Sequence, residues 1–112
     1  MMPLSLAKWL SRWEPRSNNH PTDFSLKTIF EGHVGQVLSL DWSPDGKRLV
    51  SGSFDNTVKI WDPSTGGMAM ELKHDSHVGA VAFSPSGKQL AALGCNGVIQ
   101  VWDARSAYEA DQ

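Results

Sequence analysis

Residues 33–62 read HVGQVLSLDWSPDGKRLVSGSFDNTVKIWD, and residues 74–103 read HDSHVGAVAFSPSGKQLAALGCNGVIQVWD. The two stretches align without a gap at a shift of 41 residues. Val37 falls on Val78, Trp42 on Phe83, Pro44 on Pro85, Gly46 on Gly87, Leu49 on Leu90, and Trp61-Asp62 on Trp102-Asp103. A period near 40 marks a supersecondary unit repeated along the chain, so this self-similarity governs the fold before any local propensity does.

Each copy alternates short apolar runs with turn chemistry. Residues 37–42 and 78–83 read as a first strand. Ser43-Pro44-Asp45-Gly46 follows, with proline presetting φ and glycine accepting a positive φ, and Ser84-Pro85-Ser86-Gly87 repeats the turn. Residues 48–53 and 89–95 read as a second strand. The next turns are Asp55-Asn56 and Asn96-Gly97, the latter a strong hairpin signal. Residues 57–61 and 98–102 read as a third strand. Residues 68–72 form a further strand between the copies, and residues 26–30 hold the matching place before the first copy.

The Gly32-His33 pair, the S-P-D-G turn at 43–46 and the Trp61-Asp62 ending resemble the WD-repeat (WD-40-type) β-propeller family. The resemblance covers residues 25 to 105. It implies an all-β chain: a partial β-propeller of two four-stranded antiparallel blades, in which the outer strand of one blade precedes the three inner strands of the next. On that scheme residues 25–30 are an orphan outer strand, 37–72 a full blade, and 78–102 a blade lacking its own outer strand. The repeat units span 24–62 and 63–105, with a short helix and linker at 1–23 and a tail at 106–112.

The resemblance also assigns a hydrogen-bonded network to His33, Ser51, Asp55 and Trp61. The residue types suit it: an indole N–H only donates, a hydroxyl donates and accepts, and an imidazole bridges to a carboxylate. In the second unit His74 and Trp102 remain, but Ala92 replaces the serine, Asn96 replaces the aspartate, and the glycine before the histidine is Lys73 or deleted. A looser second blade is expected, with the Trp102 indole seeking water or another partner.

Serine, histidine and aspartate together also suggest a hydrolase triad. No nucleophile elbow or oxyanion-hole glycine pattern accompanies them, and the serine falls on a buried motif position, so the structural reading prevails and no catalytic residue is assigned. His74 and His77 form an H-x-x-H pair without a cysteine or acidic cluster to complete a metal site. No cofactor is implied. Asp41, in the innermost strand where Ala82 stands in the other unit, reads as a carboxylate solvated in the central channel or lining a pocket.

Gln36 and His77 start the two innermost strands on one rim, and Phe54 stands at a turn tip on that rim, where an aromatic side chain anchors a partner well. These three are the partner-binding candidates. Arg105 is a fourth: Trp102-Asp103-Ala104-Arg105 is similar to a short W-D-x-R motif of WD-repeat substrate receptors of cullin-type ubiquitin ligases, which gives an alternative role. The main expectation is a non-catalytic scaffold or adaptor that binds proteins or peptides.

Composition agrees. A net charge of −2, with basic residues scattered along the chain, gives no general attraction to nucleic acid or anionic lipid. No apolar run approaches the roughly 18 residues that span a bilayer, and Lys8 and Arg12 interrupt the one N-terminal apolar stretch. A single cysteine, Cys95, precludes an intrachain disulfide and fits the cytosol or nucleus. Leu6, Leu10 and Trp13 approximate a helical stripe over 4–13, followed by a Pro15–Pro21 linker.

Two blades bury one interface and leave two apolar faces bare; Leu38, Leu40, Trp42, Val81, Phe83 and Val101 are the side chains at stake. Repeat arrays generally need about three units. Missing blades of a longer chain, or self-association of copies closing a ring, are therefore expected.

Overall fold

The computed structural model describes residues 24–104. They form two antiparallel sheets. The first runs β1 (Val37–Trp42), β2 (Leu49–Ser53), β3 (Thr57–Asp62) and β4 (Gly67–Lys73), paired in chain order. The second runs β5 (Val78–Phe83), β6 (Gln89–Gly94) and β7 (Ile99–Asp103), also in chain order. The first sheet is thus the full blade expected, and the second has three strands among the described residues. The expected helix at 4–13 and the tail at 106–112 lie outside the described residues.

The turns form as their residues dictate. Gly46 N–H donates to Ser43 O at 2.9 Å and Gly87 N–H to Ser84 O at 2.8 Å, with φ of 74° and 76° at the two glycines. Gly97 supplies a positive φ (87°) in the later hairpin, and Asn56 does so in the earlier one (71°), a conformation asparagine tolerates better than most residues. Both innermost strands also carry an irregularity at the same place, between Val37 and Ser39 and between Val78 and Ala80. The repeat therefore extends to a backbone distortion.

Side chains alternate across each strand, and directly paired residues share a face. Pairing of Asp41 with Val50 and Ile60, and of Ser39 with Gly52 and Val58, puts these six on one side of the first sheet. All are buried against the second sheet. That sheet presents Val81, Phe83, Leu90 and Ala92 in return, and these join Val50, Val58, Ile60 and Val78 in a single core. Gly52 lets the sheets close: a Cβ there would stand 2.6 Å from Val78 Cγ1 and 2.9 Å from Val81 Cγ1.

Two hydrogen bonds stitch the innermost strands together. Val81 N–H donates to Ser39 Oγ at 3.1 Å, and Phe83 N–H donates to Asp41 Oδ2 at 2.8 Å. These are outward-facing donors of an edge strand, which need partners once buried. Asp41 is consequently not a solvated channel residue. It is 5% exposed and ties one sheet to the next.

Two further expectations change. Val81 and Phe83 are not on a bare flank but in the core between the sheets, whereas Leu40 and Val101 are exposed and Leu38 and Trp42 half-buried. Residues 26–30 do not form a strand: β4 already occupies the outer edge of β3, which leaves no edge in the first sheet for them to extend. The segment instead lies along that sheet, with the Phe30 ring 5.2 Å from Trp61.

Candidate functional site

The first blade is closed by one directed chain of hydrogen bonds. His33 lies in the loop before β1, Ser51 in the middle of β2, Asp55 in the β2–β3 turn and Trp61 near the end of β3. Trp61 Nε1–H donates to Ser51 Oγ at 2.8 Å. Ser51 Oγ stands 2.6 Å from His33 Nε2, and His33 Nδ1 stands 2.9 Å from Asp55 Oδ2. An ionised carboxylate only accepts, so the imidazole carries its proton on Nδ1 and Nε2 accepts from the serine hydroxyl. The order of donation is Trp61 to Ser51 to His33 to Asp55.

Asp55 also accepts from Val34 N–H at 3.0 Å, from Thr57 N–H at 3.0 Å and from the Thr57 hydroxyl. Burial alone would raise its carboxyl pKa, but the bonds from the Thr57 hydroxyl, His33 and the two backbone N–H groups outweigh this and hold it well below the usual carboxylate range. The His33 and Asp55 side chains are 5% and 6% exposed, so this charge is sealed into the blade's corner.

The connectivity is that of a serine triad, but the chemistry is not. Ser51 is 2% exposed, and its oxygen already accepts the indole N–H. A nucleophile needs that lone pair free and a substrate within reach.

The second blade lacks this chain. Ala92 is fully buried where Ser51 would stand. His74 turns to the backbone: Nε2 donates to Val98 O at 3.2 Å, and Nδ1 accepts from Ser76 N–H at 3.2 Å. Its tautomer is thus opposite to that of His33. Asn96 Oδ1 accepts Val98 N–H at 3.1 Å within its own hairpin. Trp102 is half-buried and packs on the shared core, so its indole is not sealed away as that of Trp61 is.

The three rim candidates come together. Gln36 O accepts Phe54 N–H at 2.8 Å and Ser53 Oγ–H at 3.0 Å. The Phe54 and His77 rings stack, 3.5 Å apart at 15°. His77 Nδ1 donates to Phe54 O at 2.6 Å and lies 3.0 Å from Asn56 Oδ1. His77 is therefore not a plain loop residue but a clasp across the two blades, and Phe54 remains half exposed beside it. Sequence reasoning missed Asn56, whose side chain meets His77 and whose carbonyl accepts His74 N–H at 2.8 Å; its place in a two-residue turn was the available signal. It also missed Ser39, for which a small polar residue in an apolar strand was the signal. Arg105 lies outside the described residues.

Two ladders of this kind, joined through their innermost strands and bearing a His-Ser-Trp-Asp corner, define a repeat module that packs face against face. Residues 24–62 and 69–103, more than half of the chain, match the family model of the WD domain, G-beta repeat, and the chain belongs to that family. It is 40% identical over 53 residues to the guanine nucleotide-binding protein subunit beta of Nicotiana tabacum, a match covering 47% of this chain and 14% of that one. It is 39% identical over 54 residues to the ribosome biogenesis protein BOP1 homolog of Monosiga brevicollis, covering 48% of this chain and 7% of that protein. The match thus spans a small part of each relative's length. Among solved structures, that of U3-55K superposes with a TM-score of 0.67 at 27% identity, over 70% of this chain and 26% of that one. The computationally designed Ika4 protein superposes at 0.66 and 27%, over 76% of this chain and 51% of that one.

Proposed function

We propose that this chain is a non-catalytic scaffold whose rim docks proteins or peptides through Phe54, with Gln36 and His77 beside it. The stacked Phe54–His77 pair carries the reading. The aromatic side chain is 52% exposed yet held in place by a ring on one side and two backbone bonds on the other, so little conformational freedom is lost when a partner covers it. Such preorganisation is what an anchoring residue needs. The relatives' unrelated processes fit a module that supplies a surface rather than a reaction, acting in the cytoplasm or nucleus.

The test is affinity capture with the wild-type chain and with Phe54→Ala as baits. Substitution is expected to remove a discrete set of bound proteins while leaving the near-ultraviolet circular dichroism unchanged. An identical set on both baits would refute the role of Phe54. Steady ester hydrolysis by the wild type that disappears in a folded Ser51→Ala variant would refute the non-catalytic reading.

A further inference from the structure

We infer that the two uncovered sheet faces dock on each other head to tail between copies of this chain. This inference rests on the faces and is independent of the rim reading. One uncovered face is on the first sheet, where Leu40, Trp42 and Leu49 stand on the side opposite the core. The other is on the second sheet, where Ala80 pairs with Leu93 and Ile99, and Ala82 with Ala91 and Val101. Leu40, Leu93, Ile99 and Val101 are all exposed.

The repeat relates these faces to the interface already present. At the 41-residue shift, Leu40, Trp42 and Leu49 correspond to Val81, Phe83 and Leu90, which the second sheet presents to the core. On the other side, Ala91, Ile99 and Val101 correspond to Val50, Val58 and Ile60, which the first sheet presents to the core. The uncovered faces are thus counterparts of the two halves of one established contact. Each is complementary to the opposite face of the same chain rather than to itself, so the occupant that satisfies both is a second copy placed as the second sheet is placed on the first. A heterologous contact of this kind repeats from copy to copy until it closes.

The polar partners at the contact change in step. Ser39 and Asp41, which accept N–H groups of β5, become Ala80 and Ala82, so the contact between copies is the more apolar one. Gly52, which gives room to Val78 and Val81, becomes Leu93, and the copies meet at a wider spacing that the leucine fills. The same placement brings residues 24–30 of one copy, with exposed Phe24, Leu26 and Ile29, to the outer edge of β7 in the next, the edge that β4 occupies on β3.

Head-to-tail docking has a signature that like-to-like docking lacks. Leu40→Glu disables one face and Val101→Glu the other; both side chains are exposed, and native tryptophan fluorescence and circular dichroism check the fold of each variant. By sedimentation velocity at micromolar concentration, the wild type is expected to exceed the monomer mass and each variant alone to be a monomer. An equimolar mixture should form a one-to-one dimer of twice the monomer mass that grows no further, because one intact face of each kind remains. A folded, monomeric wild type would overturn the inference, as would single variants that still dimerise or a mixture that stays monomeric. Should either glutamate disturb the fold, the milder pair Leu40→Ser and Val101→Ser carries the same readout, with weakened rather than abolished homotypic assembly.

Discussion

In the first blade the histidine ahead of the innermost strand is held by side chains from three other segments; in the second, the equivalent histidine is held by backbone groups of its own blade and loop. Strand positions, turn geometry and the bulge in the innermost strand are nevertheless the same. The blade's shape therefore does not require the polar corner. Pairing, turns and burial between sheets suffice for the second blade, while the first carries an added buried chain that ends on a carboxylate. Within one molecule, the pair separates what the repeat needs in order to fold from what fixes its corner.

Removing the hinge of that chain should have the largest effect. Ser51→Ala takes the acceptor from a buried indole N–H and the donor from His33 Nε2 at once. A buried group left unsatisfied costs about 1–3 kcal/mol, and two are affected here, so a loss of about 2–3 kcal/mol is expected in urea denaturation followed by tryptophan fluorescence. A loss below about 0.5 kcal/mol, the range of an ordinary surface change, would show that the corner contributes no more than that of the second blade.

The carboxylate end is the next point of attack. Both oxygens of Asp55 accept, Oδ2 from His33 and Val34 and Oδ1 from Thr57, whereas an asparagine offers one oxygen and turns an amide toward the remaining donors. Asp55→Asn is expected to cost about 1–2 kcal/mol at neutral pH. It should also change the acid limb. Because the folded carboxyl pKa lies below its ordinary value of 3.8, the ionised group stabilises the fold above that value, and this is lost as pH falls through the folded one. Urea midpoints between pH 7 and pH 3 should drop less steeply for the variant than for the wild type. Parallel curves would remove Asp55 from the account of acid lability.

Much of this comparison was legible beforehand. The 41-residue shift located both sheets, and the innermost strands fall at Val37–Trp42 and Val78–Phe83 as read. The four network residues and the second blade's lack of a serine follow from motif positions, since a residue type and its spacing survive in a one-dimensional string. What did not survive is which face of a strand meets which neighbour. Val81 and Phe83 were assigned to a bare flank, and Asp41 to water, because alternation shows that two faces exist without showing which one is covered. Residues 26–30 carry strand-like composition, yet a ladder also requires a free edge, and the first sheet offers them none. The clasp between His77 and Phe54 joins residues 23 apart across two sheets, a proximity no local pattern encodes.

The smallest expected effect sharpens the comparison most. Ala92→Ser places a hydroxyl at the position that serves as hinge in the first blade. If the corner depended on that residue alone, the second blade should gain what the first loses with Ser51→Ala. The histidine argues otherwise: His74 already donates from Nε2 to Val98 O and accepts at Nδ1 from Ser76, so no ring nitrogen is free to receive the new hydroxyl, and Asn96 offers no charge behind it. The added group would find at most one bond within the sheet, and its burial cost offsets a gain of about 0.5–1.5 kcal/mol. A net change within about 0.5 kcal/mol is therefore expected in the same urea assay, and adding Asn96→Asp should not turn it into a gain. A gain above about 1.5 kcal/mol in the double variant would mean that His74 can abandon the backbone for the side-chain chain, making the two corners alternative states of one design rather than different solutions.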